Sequence, residues 1–169
     1  MMTRRLTIVT LTTLAVMALS SIVLTASSSA RAGGARQIAG VGFYADPGEC
    51  VDAEGTDSDF ALSLTEDVEG CLYVFVETAA CSPSGTYRET GNEIFVGQYN
   101  GEDGTFRTTY KFEAKYEDCP NLVGEIFGRC QHPLVAGSGE GVFEGVTGRL
   151  DFKDDVEAGN FPYRGHLQY

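Results

Sequence analysis

Thr105-Phe106-Arg107-Thr108-Thr109-Tyr110-Lys111-Phe112-Glu113-Ala114-Lys115-Tyr116-Glu117 decides how the rest of the chain is read. Phe106, Thr108, Tyr110, Phe112, Ala114 and Tyr116 fall on one side of a period of two. Arg107, Thr109, Lys111, Glu113 and Lys115 fall on the other. Successive side chains of a strand point to opposite faces, so this pattern predicts an antiparallel strand with one face buried and one wet.

The same rhythm extends in both directions. Upstream, residues 37–45, Phe60–Thr65, Cys71–Thr78 and Thr86–Tyr99 read as strands. The last of these has a bend at Gly91-Asn92. Downstream come Leu122–Cys130, Thr147–Asp155 and Phe161–Tyr169. Pro47-Gly48, Glu69-Gly70, Ser82-Pro83-Ser84-Gly85, Asn100-Gly101 and Pro120-Asn121 supply turn chemistry between them. Residues 131–146 read as irregular and glycine-rich, with at most one helical turn at Val142–Val146. No stretch of ten or more residues carries a helical period. Many strands, short turns and 21 glycines predict an all-β domain, an eight-stranded antiparallel barrel or a sandwich. Eight strands close a barrel whose interior is filled by side chains or holds one small ligand. Closure also removes exposed sheet edges.

Residues 1–32 read as a signal peptide. Arg4 and Arg5 form a positive start, Leu6 to Ala26 is uncharged, and Ala30-Arg31-Ala32 offers small residues for cleavage after Ala32. The uncharged stretch is also long enough for a membrane anchor, but its Thr and Ser content and the small-residue site favour removal. Export by the twin-arginine route is open as well. The expected product is residues 33–169, a single secreted domain with no stable membrane insertion. The chain carries a net charge of −12, and all 24 acidic residues lie after the segment. Such a surface repels nucleic-acid phosphates, so no nucleic-acid partner is expected.

Five cysteines follow: Cys50, Cys71, Cys81, Cys119 and Cys130. Export makes disulfides the natural reading. Zinc is disfavoured because no close C-x-x-C pair exists, and neither a metal nor a cofactor is expected. In a simple meander, Cys50, Cys81 and Cys119 fall on one rim and Cys71 and Cys130 on the other. Two cysteines at opposite ends of one strand cannot meet. The expected pairing is Cys71 with Cys130 and Cys81 with Cys119, leaving Cys50 free; parity permits these pairs without making them neighbours.

No catalytic set stands out. His132, placed in a loop before Pro133, and His166, on the polar face of the last strand, read as exposed histidines. There is no Gly-x-Ser-x-Gly elbow. Asp52, Glu54, Asp57 and Asp59 crowd one loop, but their spacing fails the EF-hand pattern and they read as solvated. Asp151, Asp154, Asp155 and Glu157 read the same way near a rim. Tyr44, Tyr110, Tyr116, Tyr163 and Tyr169 fall on inner faces. Their hydroxyls need partners, so they either pack the core or line a mixed apolar and polar cavity for a lipid-like or phenolic ligand.

Residues 137–152 contain Gly139, Gly141, Phe143, Glu144, Gly145 and Gly148 in a Gly-x-Gly-x-Phe-x-Gly-x-x-Gly spacing that leads into a strand. This resembles the late segment of the allene oxide cyclase and dirigent-type barrels. The aromatic Phe161–Tyr169 resembles their last strand. Physically the motif is structural, with glycines permitting close approach and Phe143 plugging a barrel end. The resemblance implies a calycin-like eight-stranded barrel, often a homotrimer, with an apolar cavity. The cyclases' early polar motif has no match in residues 33–60, so no catalytic residue is carried over. Three functions stay open: a secreted barrel binding a small apolar molecule, a cyclase or isomerase for a reactive hydrophobic substrate, and an extracellular interaction protein without a ligand.

Overall fold

A computed structural model of the chain describes residues 33–51 and 57–169. The expected signal peptide lies outside the described residues, as do Asp52 and Glu54 of the acidic loop. Among the described residues nine strands form: β1 (Ala35–Tyr44), β2 (Phe60–Glu66), β3 (Val68–Cys81), β4 (Thr86–Tyr99), β5 (Glu102–Asp118), β6 (Val123–Pro133), β7 (Glu140–Gly141), β8 (Thr147–Lys153) and β9 (Phe161–Gln168). Every pairing is antiparallel. The order runs β4-β3-β2-β1-β9-β8-β6-β5, and β4 pairs with β5 to close the ring. The protein is therefore an all-β, eight-stranded antiparallel barrel. The two-residue β7 lies outside the ring against Gly104 and Thr105.

The alternation of β5 sets the core. Phe106, Thr108, Tyr110 and Ala114 are all buried, and Arg107, Thr109 and Lys111 face water. Leu72, Phe95, Leu150 and Leu167 join them from other strands and are fully buried. Each such side chain stabilises the fold by about 1.5–3 kcal/mol. The segment between β7 and β8 closes one end. Phe143 is fully buried and meets Phe95 and Phe106 edge-on, at centroid distances of 5.8 and 4.9 Å. Gly141 has φ +63, and Gly139 lies so close to Phe143 that a Cβ would stand 1.9 Å from its carbonyl oxygen. Gly145 and Gly148 complete the turn into β8 at positive φ.

Four boundaries differ from the sequence reading. The chain turns at Glu66–Asp67, with Glu66 at φ 77, and not at Glu69-Gly70. Gly70 lies inside β3, paired with Leu64 and Gly97, where a Cβ would meet the Val96 carbonyl at 2.4 Å. Close backbone approach, not a turn, requires that glycine. β3 is also longer than expected and absorbs a bulge between Val76 and Thr78, opposite the Gly91 bend. β6 runs through His132 to Pro133, so His132 is a strand residue.

The disulfides are Cys50–Cys71 and Cys81–Cys119. The second was expected. The first replaces the Cys71–Cys130 pair, and Cys130, not Cys50, is the free cysteine. Parity failed because it held the loop after β1 at the rim. That loop folds back over the outer wall instead. Ser63 donates to Glu49 at 2.7 Å and Tyr73 donates to the Val51 carbonyl at 3.0 Å, which brings Cys50 to Cys71 on the outer face. Cys130 belongs to the inner face, among the buried residues of β6. The barrel wall separates the two.

Candidate functional site

At the end opposite Phe143 the barrel is not filled. A cavity of about 250 Å³ opens between the last residue of β1, the first residues of β2, β4 and β9, the middle of β3, the inner face of β6 along its length, and the later parts of β5 and β8. Its apolar wall is Phe60, Leu62, Val74, Phe112, Phe152 and Phe161. Tyr44, Tyr87 and Tyr116 stand towards the mouth, beside Leu122, with Tyr110 deeper. Leu122 follows a single 3-10 turn at Cys119–Asn121, which the Cys81–Cys119 bridge fastens to the rim.

Three of the five singled-out tyrosines therefore meet in this cavity and two do not. Tyr44 sits at the mouth, edge-on to Phe161 at 4.9 Å and Phe60 at 5.8 Å. Tyr110 and Tyr116 line the wall. Tyr163 is buried behind Phe152. Its hydroxyl donates to the Thr65 carbonyl at 3.0 Å and accepts from the Val68 amide at 3.2 Å. Gly40 makes room for it, since a Cβ there would stand 2.4 Å from that hydroxyl. Tyr163 is a structural strut. Tyr169 packs against the core with Arg36 over its ring, away from the cavity.

Three carboxyl groups of the cavity, Glu89, Glu93 and Glu125, carry no signal that the sequence reading used, and His132 and Asp154 read there as exposed or solvated. Glu89 and Glu93 lie on the inner face of β4, on the same parity as Phe95 and Tyr99. Tyr110 donates to Glu89 Oε1 at 2.8 Å, and Tyr87 donates to its other oxygen. Glu93 Oε2 accepts from the Thr108 hydroxyl and from His132 Nδ1, the latter at 2.6 Å. The Glu93 and His132 side chains are 2 % and 4 % exposed. When Glu93 is the acceptor of this bond, Nδ1 carries the ring proton and Nε2 is the nitrogen with the lone pair. His132 Nε2 has no hydrogen-bond partner. The ring lies between Phe152 at 4.6 Å and Tyr110 at 6.0 Å. His132 is thus an interior histidine, not an exposed one.

Glu125 and Asp154 form a second acidic pair nearer the mouth. Tyr116 donates to Glu125 Oε2 at 3.3 Å, and Glu125 Oε1 is buried without a partner. Burial first, then a hydrogen bond shared with Glu125, then the Glu125 charge raise the Asp154 pKa to about 7. Asp154 therefore belongs to the cavity, whereas the sequence reading left it in a solvated group. Burial and the Glu89 contact push the Tyr110 hydroxyl well above its ordinary value, so it stays a donor. Burial does the same to the Cys130 thiol, leaving it inert. His166 is half-buried on the outward side of β9.

No group of three or more potential metal ligands occurs among the described residues. No helix among them is long and apolar enough to cross a membrane. The chain matches no family model and no curated protein.

Proposed function

We propose that this protein is a secreted barrel that binds a small molecule with an apolar body. The observation that carries this reading is the asymmetry of the interior. One end is plugged by Phe95, Phe106 and Phe143, while the other keeps a cavity of about 250 Å³ with aromatic walls and convergent polar groups. Natural interiors are close-packed, so a void lined by aromatic and polar side chains supports a ligand site. Its volume of about 250 Å³ falls just below the range of roughly 300–1,000 Å³ for drug-sized ligands, which suits a single-ring compound better than a long-chain lipid. The two disulfides and the leader-like first segment support export.

Native mass spectrometry of the protein from culture supernatant tests both points. The expected mass begins at Gly33, lacks four hydrogens for two disulfides, and shows a retained small molecule or takes one up from single-ring compounds. A ligand-free mass that none of them shifts would contradict the binding reading.

One observation favours a catalytic second reading, an isomerase or cyclase. Glu93 fixes the tautomer of His132, the arrangement by which a carboxylate prepares an imidazole for proton transfer. In that case His132→Asn abolishes turnover of the bound molecule and leaves its binding within a few-fold.

A further inference from the structure

The cavity is built almost wholly of acceptors. Four carboxyl groups line it: Glu89, Glu93, Glu125 and Asp154. No lysine or arginine does so among the described residues. Four hydroxyl donors within reach are already used, and the Tyr44 hydroxyl stands open at the mouth. Tyr87 and Tyr110 donate to Glu89, Thr108 to Glu93, and Tyr116 to Glu125. Glu125 Oε1 meets no donor besides the Asp154 carboxyl beside it, and the Nε2 of an almost fully buried His132 has no partner. A buried acceptor without a donor is costly, so a molecule completing this site has to bring donors.

Charge points the same way. Four carboxyl groups face the cavity, with no lysine or arginine among its described lining residues to offset them. Around them stand aromatic rings whose faces attract cations. A protonated amine supplies three donors and one positive charge on a compact head.

We infer that the ligand is a small organic cation, an ammonium group on an aromatic or apolar body, seated among Glu89, Glu125 and Asp154 with its body against the aromatic wall. This rests on the binding reading above and names the chemistry of its ligand.

Three probes share one ring and one chain length and differ in charge: phenethylamine, 2-phenylethanol and phenylacetate. Each is titrated calorimetrically into the disulfide-bonded protein at pH 8. The expected result is one-site binding of phenethylamine, at least tenfold tighter than the alcohol, with phenylacetate weakest. Because the whole surface is acidic, stoichiometry and a variant identify the site. Glu89→Gln should cut the ratio of amine to alcohol affinity at least severalfold. Asp154→Asn should narrow it further. Alcohol or phenylacetate binding as tightly as the amine would overturn the cation inference and leave the binding reading intact. Amine uptake at many sites, unmoved by Glu89→Gln, would overturn it too, as surface attraction only. If none of the three binds, both readings fail.

Discussion

Glu93 on β4 and His132 on β6 reach across the intervening β5, and their Oε2 and Nδ1 atoms meet 2.6 Å apart in the barrel interior. Thr108 of β5 supports the same carboxylate oxygen. Removing one member of such a pair leaves a buried polar group or charge without its partner. His132→Ala should therefore cost about 3–5 kcal/mol in denaturant unfolding. The double variant Glu93→Leu with His132→Leu removes both polar groups together and should recover much of that loss. Additive losses in the cycle would show that the two groups are not coupled.

Asp154 ties stability to pH. Its folded-state pKa is raised from 3.8 to about 7, so the protonated form is the one that folding favours. The stabilisation is complete below about pH 4 and is lost as pH rises through about 7. Water at the cavity mouth screens the pair, so the drop between pH 5 and 8 should be about 1–2 kcal/mol. Asp154→Asn should flatten that part of the profile in melts across the range. A wild-type profile equally flat would refute the shared-proton pair.

The cysteine pairing is directly checkable. Peptide mapping under non-reducing conditions should recover Cys50 with Cys71 and Cys81 with Cys119. Each bridge closes a loop whose cross-linking is worth about 3–4 kcal/mol. Cys50→Ser and Cys71→Ser should destabilise alike, and combining them should cost little more. Native protein should give no thiol reaction at Cys130, which appears only on denaturation.

Phe143 is the plug of the closed end. Phe143→Ala should cost about 3–5 kcal/mol through lost burial and the void left behind. The cavity lies at the other end, so ligand affinity measured below the melting temperature should stay within a few-fold. A larger loss of affinity would mean that the plug also shapes the site.

Much of the fold was legible because alternation is a local signal. The β5 pattern places Phe106, Tyr110 and Ala114 inside without reference to any other strand. The closing order of strands follows from a simple meander. The cavity was harder to see. Tyr44, Tyr110 and Tyr116 stood out as inner aromatics, but Tyr163 shares their parity and differs only in height along the barrel, which depends on strand stagger. Glu89 and Glu93 were visible in principle, since they alternate with Gly91 on the face that carries Phe95 and Tyr99. A charged residue in a strand invites a wet reading, and only closure of the ring shows that both faces of β4 are spoken for. His132 was obscured by Pro133, which ends β6 after the histidine and not before it. The Cys50–Cys71 bridge was hidden because a loop crossing the outer wall leaves no periodic trace.

The claim that the open end is a ligand site is tested most directly by filling it. Val74→Phe adds a ring to the cavity wall from a well-ordered strand. Phenethylamine and 2-phenylethanol binding, followed by amide chemical shifts, should be saturable in the wild-type protein, with shifts centred on Tyr110, Tyr116 and Glu125. The filled variant should melt at the same temperature or higher and lose that binding. Binding that survives in Val74→Phe, with shifts mapping elsewhere, would place the ligand outside the barrel and contradict the reading.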